Sequence, residues 1–253
     1  VPPAWYCVGA IPSAGNTVER RYFGDTVRVT ATEAGVNVQM HGQNYRAETA
    51  LGLVLAWIGP ANAAYELPWT RLHDAAWSFL SARPRRADVT FERPFADYFD
   101  HWHSRELHQI PIRAPKAWFE GSRCGVAFDA ALPAAYANIP LLDKLPVTLK
   151  MTSAATLYGM SFAVDELTQG GLKFVNVQCT TPLDESAVEI HTIVGLRSRL
   201  PRAAKAKILA AVDRKIALEV SNDLGYWKAC ADGQAFAWDR ETSHDYARYL
   251  QWC

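Results

Sequence analysis

The chain carries no excess of charge of either sign: 26 lysines and arginines offset 26 aspartates and glutamates. Nothing in that balance draws it to nucleic acid or to an anionic membrane surface. It has no apolar run approaching the roughly 18 residues that a membrane span needs. Its first residues do not show a basic segment leading into an apolar one, as a secretory signal would. Cysteine is sparse, five residues scattered along 253. An odd, dispersed set argues for reduced thiols rather than a disulfide framework. There is no internal repeat and no low-complexity tract. These absences lead to the expectation of a soluble, cytoplasmic protein.

Apolar residues make up 49% of the sequence, enough for a sizeable core in one large domain or a small one joined to a larger one. Short β segments are expected over residues 1–60, at Ala4–Ala10, Arg20–Phe23, Thr26–Thr32, Val36–Met40 and Leu51–Ile58, separated by turn residues such as Gly24-Asp25. Residues 61–86 read as a linker ending in the basic run Arg83-Pro84-Arg85-Arg86. That run is a solvated face or a docking patch for an acidic electron-transfer protein. Residues 87–253 read as the main domain. It has a strand at Asp88–Arg93, then alternating segments at Gly125–Asp129, Val147–Thr152, Thr156–Val164, Leu172–Thr180 and Ala187–Leu196, then a helix over Arg202–Ala229. Consecutive strands with short links make an antiparallel sheet. The expected class is therefore α+β, an antiparallel sheet gripped by a long C-terminal helix and preceded by a small β module.

The chemistry concentrates in residues 97–108, Asp-Tyr-Phe-Asp-His-Trp-His-Ser-Arg-Glu-Leu-His, which hold three of the seven histidines. Imidazoles and carboxylates alternate there with large apolar side chains, so part of the cluster is carried inward and needs partners. A helix places Asp100 and His103 on one face. His108 lies five residues beyond His103, about 140° round an ideal helix, so the two imidazoles converge on one ion only if the helix loosens between them. Two imidazoles and a carboxylate on one face of a metal leave its other positions open, as in non-haem Fe(II) oxygenases. Asp100 qualifies as that carboxylate, and equally as the acceptor that fixes a histidine's orientation. The competing reading is a solvated charged helix with one or two satisfied histidines.

A second carboxylate arises independently. Leu209, Val212, Ile216 and Val220 form an apolar stripe on the long helix, and the same step reaches Asp223 and then Trp227. A carboxylate on an apolar face needs a partner, which is a metal, an arginine, or the frayed helix end at Gly225. A helix over a curved sheet also encloses a cavity, here expected to be walled by Phe128, Leu157, Met160, Phe162, Phe174 and Val177 and to suit an apolar, flat or elongated ligand.

The order Asp100-x-x-His103-x-x-x-x-His108 resembles the motif of the catalytic domains of Rieske-type non-haem iron oxygenases, and Asp223-Leu-Gly-Tyr226-Trp227 resembles the segment that brings their third ligand. Trp5-Tyr6-Cys7-Val8-Gly9, Gly52-Leu-Val-Leu-Ala-Trp57 and Asp245-Tyr-Ala-Arg-Tyr-Leu-Gln-Trp252 resemble further segments of that family. The nearest likeness is to its steroid-oxidising branch, the 3-ketosteroid 9α-hydroxylases and cholesterol 7-desaturases. The resemblance implies Fe(II) held by His103, His108 and Asp223, with dioxygen as co-substrate. It also implies that Asp100 hydrogen-bonds a ligand histidine and relays electrons.

The chain departs from that family in one respect. A Rieske cluster takes its ligands as C-x-H and C-x-x-H, and no cysteine here begins either pattern. Val38-Gln-Met-His41-Gly42 has the look of such a loop without its cysteine. The resemblance thus implies a [2Fe–2S] centre on a partner, either a ferredoxin or a Rieske protein with its reductase, in a homo- or hetero-oligomer. The substrate would be an apolar, steroid-like or polycyclic molecule, undergoing hydroxylation, desaturation or dealkylation. Two other functions stand beside this one. One is a metal-dependent cyclisation or hydrolysis that needs no reductant. The other is a non-catalytic helix-grip protein that binds a ligand or supports a catalytic partner.

Overall fold

In this computed structural model, residues 3–68, 72, 74–80, 83–133, 147–231 and 240–253 are described. Seven strands come first: β1 (Ala4–Ala10), β2 (Thr17–Tyr22), β3 (Asp25–Thr32), β4 (Gly35–Met40), β5 (Gln43–Tyr45), β6 (Ala47–Ala50) and β7 (Leu53–Ile58). They make two sheets, a meander β2-β3-β4-β5 and a three-stranded sheet β1-β7-β6. Expectation missed β5 and β6, both short and polar. The reason is local: Met40 pairs with Gln43 across His41 and Gly42, which stand at φ 51° and 76°. Two successive positive φ values are the signature of the tightest hairpin turn. The stretch that resembled a cluster-bearing loop is this closed hairpin, and His41 faces solvent beside Asp25 at 3.2 Å.

The larger sheet has eight antiparallel strands. Its path is β10 (Arg113–Glu120), β11 (Arg123–Pro133), β12 (Thr148–Tyr158), β13 (Phe162–Gln169), β14 (Leu172–Pro182), β15 (Val188–Arg197) and β8 (Trp77–Phe79), with β9 (Arg83–Ala87) also paired to β15. The segment read as a linker therefore supplies two edge strands, β8 and β9. The strand expected at Asp88–Arg93 lies one element early, at Arg83–Ala87, where Pro84 is tolerated because the strand is an edge. The segment Thr156–Val164 is divided between β12 and β13 by a turn at Gly159, whose φ is 69°. Apolar residues continue across that turn, and periodicity alone could not see it.

The eight-stranded sheet is covered on both faces. Alternation along β14 sends Val175, Val177 and Cys179 to one face, where they pack with Phe162, Val164 and Ile193 against Trp5, Cys7, Leu55 and Trp57 of the three-stranded sheet. Phe174 points the other way and packs with Val194, Leu196, Ile208 and Leu209. The last two belong to α3 (Arg202–Ala231), a 30-residue helix about 45 Å long that lies across this face. Between sheet and helix sit two short helices, α1 (Arg93–Ala96) and α2 (His101–Glu106). They are fixed from outside by α4 (Arg240–Trp252): the Tyr249 ring stacks on Phe99 at 5.0 Å and its hydroxyl donates to the Glu92 carbonyl at 3.1 Å. The α+β class and its long helix are as expected from sequence.

Candidate metal centre

The histidine helix is shorter than its sequence suggests. Asp100 is outside it, at φ −95° and ψ 87°, and caps it: its Oδ1 accepts from the His103 backbone N–H at 2.9 Å. The helix ends at Glu106. There the His103 carbonyl takes two donors, Leu107 N–H at 2.9 Å and His108 N–H at 3.4 Å. The second is a five-residue step, wider than the α-helical four. This is the loosening that convergence requires, and it carries the His108 Nε2 to 2.9 Å from the His103 Nε2.

Asp223, one turn before Trp227 on α3, completes the group. Its Oδ1 lies 2.9 Å from His108 Nε2 and 3.1 Å from His103 Nε2. Donor atoms of the three residues lie within 4.8 Å of one another. The triangle has informative edges. Ligands at right angles on an ion with bonds of about 2.1 Å lie about 3.0 Å apart, and tetrahedral ligands at that bond length about 3.4 Å apart. The observed edges of 2.9, 2.9 and 3.1 Å are close to the first of these spacings. His101, by contrast, faces α4, its Nε2 lying 3.5 Å from Asp245 Oδ2.

The electrostatics also fit a cation. Asp97, Asp100 and Asp223 crowd His103, while Arg93 is paired with Asp97 at 3.2 Å. Burial pushes the Asp97 carboxyl up to about 6, against the pull of His103 and Arg93. Burial alone would lower the His103 pKa, but the charges of Asp97 and Asp223 raise it to about 9. Burial opposes ionisation of Asp223 as well, yet hydrogen bonds with His103 and His108 hold its carboxyl below the ordinary range. An imidazole whose pKa is raised by surrounding carboxylates sits where positive charge is favoured. A divalent ion supplies that charge better than a proton.

Asp100 is engaged elsewhere than on a ligand imidazole in this structure. Its oxygens go to the His103 backbone and to the Tyr226 hydroxyl, at 2.9 and 3.0 Å, and it is 0% exposed. The His103 Nδ1 is buried without a hydrogen bond among the described residues. The cap occupies one Asp100 oxygen and Tyr226 the other, while the carboxylate stays close enough to His103 to act on its charge. Asp100→Ala is therefore expected to cost stability, about 2 kcal/mol for a buried cap with a second hydrogen bond. A denaturation midpoint unchanged by the substitution would contradict this assignment.

Sequence reasoning named Asp97 only as a neighbour, yet it lies at the centre. Its Oδ2 accepts from Trp227 Nε1 at 2.6 Å and lies 3.6 Å from His103 Nε2. Its position three residues before Asp100 was the available signal.

A cavity of about 170 Å³ opens from these residues. Of the six expected wall residues, Phe128 and Phe174 line it or the adjoining lobe of about 180 Å³. The other four do not serve as walls. Leu157 is packed beneath the histidine helix with Phe95 and Phe99, Phe162 and Val177 are on the opposite face of the sheet, and Met160 packs among the N-terminal strands. In their place the floor carries Ser153, Asp165, Asn176, Gln178 and Thr192. The expectation of an apolar cavity is thus corrected to an amphipathic one. Alternation in β14 was the missed signal: Asn176 and Gln178 share a face with Phe174. Ser153 donates to Asp165 Oδ1 at 2.7 Å, and burial pushes the Asp165 carboxyl up to about 6 despite that bond.

A family model described as the 3-ketosteroid 9alpha-hydroxylase C-terminal domain matches residues 65–237. No curated protein sequence matches the chain. Among solved structures, dicamba monooxygenase bound to dicamba is similar at 10% identity, over 98% of this chain and 95% of that one, with a TM-score of 0.69. NdmA of Pseudomonas putida CBB5 with caffeine is similar at 12% identity, over 98% of this chain and 88% of that one, also with a TM-score of 0.69. At such identities the likeness establishes the fold.

Proposed function

The chain belongs to the family of the 3-ketosteroid 9α-hydroxylase C-terminal domain, and from that premise we propose that it is the catalytic part of a Rieske-type mononuclear iron oxygenase. His103, His108 and Asp223 would hold Fe(II). The observation that carries this reading is their triangle of donor atoms, with edges of 2.9, 2.9 and 3.1 Å. When bound, Fe(II) supplies the redox chemistry by which dioxygen attacks an unactivated C–H bond.

The chain's own residues do the rest. Asp97, held by Trp227 and Arg93, keeps negative charge against the imidazole of His103. Asp100 fixes the start of the histidine helix and ties it through Tyr226 to α3, so ligands from two distant segments stay in register. Phe128 and Ile110 below, with Ile216 and Val220 above, hold the apolar body of a substrate and exclude water around it. Hydroxylation, desaturation and dealkylation of an apolar or polycyclic molecule are the outcomes this arrangement suits.

Electrons would come from a [2Fe–2S] centre on a partner protein, a ferredoxin or Rieske protein served by a reductase. Two observations support that supply. No cysteine of the sequence begins either ligand pattern of a Rieske cluster. The segment resembling a cluster loop closes as a two-residue hairpin. A cytoplasmic setting suits the five free thiols, and no helix among the described residues is long and apolar enough to cross a membrane.

Elemental analysis of anaerobically purified protein is expected to give about one iron per chain and no acid-labile sulfide. Dioxygen uptake should require a reduced ferredoxin-type donor. Near-zero iron that added Fe(II) does not restore would sink the proposal. Turnover without any reductant would favour the non-redox metal enzyme instead.

A further inference from the structure

The cavity floor holds a row of polar groups that the metal centre does not use. Ser153, Asp165 and Asn176 stand on three neighbouring strands, β12, β13 and β14, and Asp165 and Asn176 are direct cross-strand partners. All three line the cavity that contains His103, His108 and Asp223. A sheet face packed against an amphipathic helix would ordinarily carry apolar side chains at these positions, as Phe174 and Leu196 do nearby. Buried polar groups cost about 1–3 kcal/mol each when unpaired, so they persist where something pairs with them.

Their pairing is incomplete. Asp165 takes one hydrogen bond, from Ser153 to Oδ1, and Oδ2 has none among the described residues. Asn176 Oδ1 and Thr192 Oγ1 are shut off from solvent without a hydrogen bond. Lys215, on the helix above the adjoining lobe, is paired with Glu219 at 3.3 Å. The unmet capacity at Asp165 is for a donor, because an ionised carboxylate only accepts.

We propose that Ser153, Asp165 and Asn176 form a polar anchor that selects substrates carrying a hydrogen-bond donor, a hydroxyl or an ammonium group. The apolar body of the substrate then lies between Phe128 and Ile216 and reaches toward Asp223. This rests on the oxygenase reading for its meaning, since it names the substrate class of the same site. It also makes a distinction within the family. A ketone only accepts hydrogen bonds, so Asp165 itself gains nothing from it, whereas the corresponding alcohol can donate to the carboxylate. Ser153 orients the carboxylate, so a donor entering there meets the free Oδ2 of Asp165.

The test is equilibrium binding with four probes of one size class: 2-naphthol, 2-methylnaphthalene, 2-naphthaldehyde and 2-naphthylmethylamine. Each is titrated against metal-free and iron-loaded full-length protein. Naphthol and the amine are expected to bind at least about tenfold more tightly than the methyl compound, the usual worth of a buried hydrogen bond to a charged group. The aldehyde should gain nothing. In Asp165→Leu the preference should vanish, with methylnaphthalene binding at least as tightly as naphthol. Asp165→Asn, which preserves shape, should lose the preference for the amine and keep part of that for naphthol.

Equal binding of naphthol and methylnaphthalene by the wild type would overturn the anchor and leave the row as a water site. So would a preference that survives Asp165→Leu, or no probe binding by the iron-loaded protein. The metal reading fails separately: absence of iron with the naphthol preference intact would sink the oxygenase and leave the anchor standing.

Discussion

Asp223→Ala is expected to lose iron almost completely, from about one per chain to below about a tenth, with oxygenase activity lost in parallel. Altering groups that merely orient metal ligands costs 10- to 100-fold in affinity, and removing a ligand should cost more. The geometry explains why this residue matters most. The two imidazoles come from one short segment, whereas Asp223 comes from α3 and supplies the only charge among the three donors. Without it, the Nε2 atoms of His103 and His108 face each other at 2.9 Å with no carboxylate in contact with both. Asp223→Asn keeps the shape and removes the charge, so it separates the two contributions. It should retain the fold, as judged by its melting temperature, and bind iron weakly. Full iron in Asp223→Ala would mean that Asp97, whose Oδ2 is 3.6 Å from His103, moves in as third ligand. Trp227 opposes that by holding the same oxygen at 2.6 Å. Metal analysis of the Asp97→Ala/Asp223→Ala pair would then decide the matter.

Trp5→Ala is expected to lower stability by about 3–5 kcal/mol, the usual range for a large buried aromatic residue. Trp5 is 0% exposed, its indole N–H donates to the Tyr65 carbonyl at 2.8 Å, and its ring meets Trp57 edge-on at 5.8 Å. Its backbone carbonyl accepts from Ser161 Oγ at 2.5 Å, across to the large sheet. Since whole domains are stable by only about 5–15 kcal/mol, the loss is a large fraction of the total. Chemical denaturation checks it, and the shape of the curve is as informative as the midpoint. One cooperative transition shifted to lower denaturant is expected, because Trp5 and Cys7 share a core with Phe162, Val175 and Val177. Two separated transitions, with only the first shifted, would show that residues 1–60 fold as a module of their own.

The sequence was legible where local pattern and tertiary role agree. β1 is Ala4–Ala10, as expected, and the long helix runs Arg202–Ala231 against the expected Arg202–Ala229. The stripe from Leu209 to Val220 led to Asp223 because one helical face must meet one surface. Three matters were illegible, each for a physical reason. Asp100 as a cap depends on φ and ψ at a single residue, which the pattern of side chains does not specify. Strands β8 and β9 are short and polar at their outer positions because they lie at an edge, and edges lack the alternation that reveals a half-buried strand. The polar floor was hidden because apolar residues were counted along β13 and β14 without following each face separately. Val175 and Val177 mark the strand, but they face away from the cavity.

The position of β1 has a consequence for how the molecule is assembled. Its ladder partner is β7, and much of the core on one of its faces comes from β13, β14 and β15, far along the chain. The β2-β3-β4-β5 meander between them closes through neighbours in sequence and can form early. Trp5 and Cys7 stay uncovered on that face until the strands through Ile193 have emerged, whereas Tyr6, on the other face, packs on Tyr22, Phe23 and Phe91. Nascent protein would therefore pass through a stage in which an apolar strand edge is open, the stage most vulnerable to aggregation. The slow step in its folding should be the docking of Trp5 and Cys7 onto the large sheet.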